Sequence, residues 1–321
     1  MSSLHDGFIS VIEARDPGDD LVAWITRQQH VLEPTLVEHG GILLRGFSSD
    51  RARFARAVDV ISSARVDYTG GNSPRTEVAD GIFTASELPS DFRIAMHHEM
   101  SIALCMPMKI FFFCEVPSSS GGETPLCSSR RMLRVIPAAI FETIERHGGV
   151  TYVRNFHPAS PFKDVAATFG TTAPREIEAI CRRDGIEAEW KGPDWLQTRQ
   201  TRPAFWSHPR TGERVFTATI HIWHPYCWLR ELRAFGAVGA TVPAHDDEPW
   251  MYARYASGTA IDHTVAEAVA EAYEREQVSF PWRTGDVLVL DNLLTSHGRT
   301  PYSGTRRILV ALREPRRMDS I

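Results

Sequence analysis

Hydrophobic positions in the first sixty residues follow a helix, strand, helix rhythm. Leu21, Trp24, Ile25 and Leu32 fall with Gln28 on one helical stripe, Asp19 or Asp20 stands at the N-cap, and Gly40-Gly41 ends the stripe before the strand-like Ile42-Leu43-Leu44. A second helix begins near Asp50 and carries Phe54, Val58 and Ile61 on one face. The stretch from Tyr68 to Arg75 contains Gly70-Gly71-Asn72-Ser73-Pro74 and predicts a long loop.

From about residue 93 strands dominate: Ile94 to Glu99, Lys109 to Val116, Arg202 to Trp206, Val215 to His221, Asp286 to Asp291 and Arg306 to Leu312. Two helical insertions interrupt them. One covers roughly Ser129 to Asp184, and the other runs from Leu229 through a helix near Asp262 to Gln277, with Val265, Val269 and Tyr273 at helical spacing. Strands so far apart pair over long sequence distances, as a sandwich or jelly-roll barrel requires. No repeat, low-complexity tract or linker divides residues 1–321, so one domain is expected, mainly β with flanking helices (α+β).

Composition narrows the partners. The 321 residues are 43% hydrophobic, enough for a sizeable core, and 35 Lys plus Arg against 40 Asp plus Glu leave a formal net charge of −5. With no basic run, neither nucleic acid nor an anionic membrane is an expected partner. The longest apolar stretches are strand-sized, and no basic-then-apolar leader opens the chain. Five cysteines, odd in number and never arranged as C-x-x-C, fit a reducing cytoplasm.

Met96-His97-His98-Glu99-Met100 carries the strongest local chemistry, because side chains at i and i+2 of a strand share a face, so His97 and Glu99 can share a metal. His297, just past a buried-looking strand, is the candidate third ligand. Two imidazoles and a carboxylate form the facial triad of non-haem iron oxygenases, with three positions open for a bidentate 2-oxo acid and dioxygen. A lone H-x-E is more often a surface strand pair. Arg307, ten residues after His297, changes the balance. Alternation groups it with Leu309 and Ala311, and an inward guanidinium there needs a carboxylate such as the far end of 2-oxoglutarate. The competing reading makes Arg306 and Arg307 surface charges on an edge strand.

With these residues assembled, the chain resembles the taurine dioxygenase and clavaminate synthase-like family of iron(II)/2-oxoglutarate oxygenases from about Gly40 to Arg313. The blocks that carry the likeness are Gly41 to Phe47, His97 to Ser101, Gly121-Gly122-Glu123-Thr124-Pro125, Arg202-Pro203-Ala204, Gly285-Asp286-Val287 through Asp291-Asn292, and His297-Gly298-Arg299 through Arg306-Arg307. The resemblance implies a double-stranded β-helix (jelly-roll) core, Fe(II) on His97, Glu99 and His297, and 2-oxoglutarate and O2 as cosubstrates. It makes Thr124 a hydroxyl donor to 2-oxoglutarate and Arg307 its salt-bridge partner. Thr124 could instead only cap the turn after Gly121-Gly122.

The nearest subgroup in character oxidises amino acids or carrier-tethered aminoacyl groups in natural-product pathways, and a Gly-Gly-x-Ser-Pro-Arg loop precedes its metal strand, as Gly70 to Arg75 does here. Hydroxylation, desaturation or epoxidation of an amino-acid-like small molecule, free or tethered to a carrier protein, is therefore implied, with release of succinate and CO2. Asn72 and Arg75 become candidate substrate contacts, although a solvated loop charge reads equally well for Arg75. Two departures stand out: His98 replaces a frequent Asn, and Ala218-Thr219 replaces a frequent Asn-Gln. His98 is thus a candidate substrate contact as well, but alternation turns it away from the metal. His221 and His224 read as core or rim histidines. Glu99 fills the position a halogenase keeps vacant for chloride, which disfavours halogenation. Zinc-dependent hydrolysis or isomerisation on the same triad, or a non-catalytic binding module, would leave Arg307 and Thr124 unexplained.

Overall fold

Alternation within three apolar runs decides how the layers stack. In the strand Cys105–Val116, Ile110, Phe112 and Cys114 face one core while Phe111 and Phe113 face another. Leu288 and Leu290 divide in the same way from Val287 and Val289, and Ile308, Val310 and Leu312 from Leu309 and Ala311. Both faces of these strands are buried, which is why they read in the sequence as continuous apolar runs.

The computed structural model describes residues 2–4, 6–66, 75–160, 163–234, 244–245 and 248–317. Among them an eight-stranded sheet has at its centre, in spatial order, Gly41–Arg45, Val287–Asp291, Cys105–Val116 and Arg307–Arg317, all pairs antiparallel. The helices Leu21–His39 and Arg51–Ile61 cover one face, where Leu21, Ile25 and Phe54 pack against Phe111, Phe113 and Leu309. Their caps are the expected ones: the Asp20 side chain accepts from the Ala23 N–H at 2.9 Å, and that of Asp50 from the Arg53 N–H at 2.7 Å. The first helix ends at Gly40, whose φ of 75° is costly for any residue with a Cβ.

The other face of the large sheet packs over a core that includes Leu126 of a three-stranded sheet, ordered Ile94–His97, Thr295–Arg299, Leu126–Ser128. Two sheets sharing one interior give the jelly-roll plan, and among the described residues they do not close into a barrel. The expected helical insertions need correction. A four-stranded sheet draws Val150–Phe156 from the first and Met251–Tyr255 from the second, joined by Glu187–Gly192 and Trp195–Arg202. All seven residues of Val150–Phe156 are buried, so no alternation marks them as a strand. The expected strand from Val215 to His221 is extended only over Arg214–Phe216, and Ile220–Trp223 forms a helical turn. No described helix is long and apolar enough to cross a membrane.

Candidate metal centre

Strand pairing in the small sheet sets His97 directly opposite His297, with ring centroids 4.5 Å apart. Glu99 arrives by a different route from the one expected, because the strand ends at His97 and a turn follows in which Met100 has φ 58°. Asn292, fully buried, fixes that turn. Its Oδ1 accepts from the Glu99 N–H at 2.8 Å, and its Nδ2 donates to the carbonyls of Glu99 at 3.0 Å and Pro107 at 2.8 Å. Donor atoms of His97, Glu99 and His297 consequently lie within 4.8 Å of one another.

The electrostatics suit a cation. His97 Nδ1 lies 2.9 Å from the Ala95 carbonyl, which can only accept, so Nδ1 carries the hydrogen and Nε2 keeps its lone pair. Burial, then the charges of His297 and Arg75, lower the His97 pKa to about 4 despite Glu99 and the Ala95 carbonyl, so the imidazole is neutral at physiological pH. Burial alone would raise the Glu99 carboxyl, but Arg75 and the two imidazoles outweigh it and hold the group well below the usual carboxylate range. Two imidazoles and an ionised carboxylate are the donor set of a three-ligand iron(II) site.

A pocket beside the triad is lined by Thr124, Phe112, Arg75, Arg299 and Arg306. Thr124 Oγ1 accepts from Trp282 Nε1 at 3.1 Å, which leaves its own O–H to donate elsewhere. Arg306 Nε donates to the Gly122 carbonyl at 2.8 Å. Burial and the neighbouring Arg299 lower its pKa to about 10, and it stays charged at neutral pH. Gly121 makes this turn possible: its φ is 66°, and a Cβ would sit 2.2 Å from the Pro301 carbonyl oxygen. Arg299 donates to the carbonyls of Leu88, Pro89 and Phe92 and so ties down the loop before the strand Ile94–His97.

Several expected placements change. Arg307 is not in the pocket: its side chain is 53% exposed and pairs with Glu115 at 3.2 Å. The alternation itself holds, but the face carrying Leu309 and Ala311 is the helix side, whereas Arg306 shares the phase of Ile308 and Val310. His98 is buried away from the pocket with Nε2 2.9 Å from Ser129 Oγ, as alternation predicts and a substrate contact does not. Arg75 lies in the pocket wall, but its Nη2 donates to Glu99 Oε2 at 2.8 Å. Asn72 lies outside the described residues. His221 Nε2 lies 2.8 Å from the Met96 carbonyl, and His224 Nε2 lies 3.1 Å from that of Ile261. Sequence reasoning gave Arg306 and Asn292 no role in the site, although both stand in the blocks that carry the family likeness.

The model of the family described as "Taurine catabolism dioxygenase TauD, TfdA family" matches residues 5–312. Dapdiamide synthesis protein DdaC of Enterobacter agglomerans is 33% identical over 287 residues, 89% of this chain and 85% of DdaC. A clavaminate synthase-like protein of Arabidopsis thaliana is 30% identical over 301 residues, 90% of this chain and 86% of its own length. Among solved structures, PvcB of Pseudomonas aeruginosa has a TM-score of 0.53 at 14% identity, covering 95% of this chain and 85% of PvcB, a likeness of fold. With the fold, the match over nearly its whole length and two relatives in agreement, the chain belongs to the TauD/TfdA family of dioxygenases.

Proposed function

We propose that this dioxygenase uses iron(II) on His97, Glu99 and His297, with 2-oxoglutarate and O2, to hydroxylate an amino-acid-derived small molecule in natural-product biosynthesis, releasing succinate and CO2. Desaturation and epoxidation are variants of the same outcome. The observation that carries the reading is Arg306, a half-buried cation in the wall of the pocket that the two histidines share. A zinc hydrolase on the same triad gives that guanidinium no anion to bind.

Iron, when bound, would relay electrons from 2-oxoglutarate and substrate to dioxygen, which does not react with either directly. The chain's own residues do the rest. Arg306 is assigned the far carboxylate of 2-oxoglutarate through a charge-assisted fork, and Thr124 donates its hydroxyl hydrogen to the same molecule. Phe112 packs edge-on against the His297 ring at 5.3 Å and keeps that wall apolar. The Ala95 carbonyl holds the proton of His97 at Nδ1, away from the metal side.

The name of DdaC, a dapdiamide synthesis protein, supports a biosynthetic setting. Anaerobic addition of iron(II) and 2-oxoglutarate should give a visible charge-transfer band. A succinate-release screen against free and carrier-bound amino acids then separates the two substrate forms, and no band would sink the reading.

A further inference from the structure

The Arg75 guanidinium donates to Oε2 of Glu99 at 2.8 Å, and the two side chains are only 6% and 5% exposed. Desolvating both partners of such a pair is costly, and a cation beside a ligand carboxylate repels an incoming divalent metal. An arginine in that position therefore works against metal affinity. One benefit open to it lies in what it does to the ligand.

Glutamate carries two oxygens on a side chain one methylene longer than aspartate, and carboxylates ligate metals through one oxygen or both. A six-coordinate ion held by His97, His297 and both oxygens of Glu99 keeps two positions, whereas a chelating 2-oxo acid plus dioxygen needs three. Oε2 is also 3.7 Å from His297 Nε2, close enough to the site for a metal to compete with the guanidinium for it. We propose that Arg75 is a positioning residue that restricts Glu99 to one-oxygen ligation and so keeps a position open for dioxygen. The inference rests on the iron and 2-oxoglutarate reading above.

Arg75→Gln and Arg75→Lys test it beside the unmodified chain in two anaerobic titrations. One follows Co(II) binding by its d–d absorption. The other follows nitric oxide, a stand-in for dioxygen, added to the Fe(II) protein saturated with 2-oxoglutarate, by the visible absorption it gains. Arg75→Gln should bind Co(II) at least as tightly as the unmodified chain and still give the 2-oxoglutarate charge-transfer band, yet need about tenfold or more extra nitric oxide for half the nitrosyl signal. Arg75→Lys keeps the charge and a donor, and should recover most of that loss. Parallel loss of Co(II) and nitric oxide binding in both variants would mean that Arg75 only builds the site, and an unchanged nitric oxide titration in Arg75→Gln would mean that Glu99 needs no restraint. Either result overturns the proposal. Absence of the band in the unmodified chain would instead overturn the underlying reading.

Discussion

Asn292 and Glu99 are bonded in both directions, N–H to Oδ1 at 2.8 Å and Nδ2 to the carbonyl at 3.0 Å, across 193 positions of chain. The amide thus acts as a backbone splint for a turn with no regular ladder of its own. Asn292→Ala strips partners from a buried N–H and two buried carbonyls and should cost on the order of 3 kcal/mol of stability. Mn(II) affinity should fall about ten- to a hundredfold as Glu99 loses its aim. Urea unfolding and a Mn(II) binding isotherm check the two effects, and an unchanged isotherm would free Asn292 of any positioning role.

Arg306 and Arg307 are adjacent and should behave oppositely. Arg306→Ala should raise the 2-oxoglutarate requirement by the equivalent of about 2–5 kcal/mol, because a desolvated charge pair is lost. Arg307 is half exposed on Glu115, which Arg51 also bridges at 2.8 Å, so Arg307→Ala should change stability by less than about 1 kcal/mol and leave 2-oxoglutarate binding alone. Titrating the charge-transfer band in both variants decides it, and equal effects would return the role to either arginine.

Replacing either metal histidine should remove metal binding without unfolding the chain. His97→Ala deletes a donor on an outer strand of the small sheet and His297→Ala one on its middle strand, and both leave the apolar cores intact. Circular dichroism should be unchanged while the Mn(II) isotherm goes flat, and full Mn(II) affinity in either variant would break the triad.

Acid should weaken the metal-free fold in a defined window. Burial lowers the pKa values of His97 and His221 to about 4 and of His98 to about 3, against 6.5 for a free imidazole. Between about pH 6.5 and 4 the unfolded chain therefore holds more protons than the folded one, and stability falls as pH falls. Each fully shifted imidazole contributes on the order of 3 kcal/mol across the window. Glu99, lowered in the fold, adds stability above its unfolded value near 4.5 and loses it on further acidification, so the signs agree. Urea midpoints should drop from pH 7 to pH 5, with a shallower drop in His221→Gln. Equal midpoints at the two pH values would mean that these rings are not buried neutral.

Much of this geometry was legible in the chain. Asp20 and Asp50 announce their helices because a short acidic side chain before a periodic run satisfies orphan N–H groups. The H-x-E and the distant histidine announce the triad through donor chemistry. Phase is what could not be read. In Ile308-Leu309-Val310-Ala311-Leu312 both phases are apolar, so alternation pairs Arg307 with Leu309 without saying which face looks inward. That depends on where the two N-terminal helices settle, a tertiary fact. Glu99 illustrates a different gap: it reaches the site through a turn held by Asn292, and no local pattern encodes a side chain 193 positions away.

The strand order carries a consequence for biosynthesis of the protein itself. Gly41–Arg45 and Cys105–Val116 are not neighbours; Val287–Asp291 lies between them and completes both ladders. The Arg45–Asp286 pair that locks this insertion, bidentate at 2.7 and 3.0 Å, spans 241 positions. A nascent chain that has emerged only as far as residue 280 holds His97 and Glu99 but none of Asn292, His297 or Arg306. Contacts of such sequence separation form slowly and late. Metal loading therefore waits for the last of these segments, and until then a gap in the middle of the main sheet leaves two strand edges open to the wrong partners.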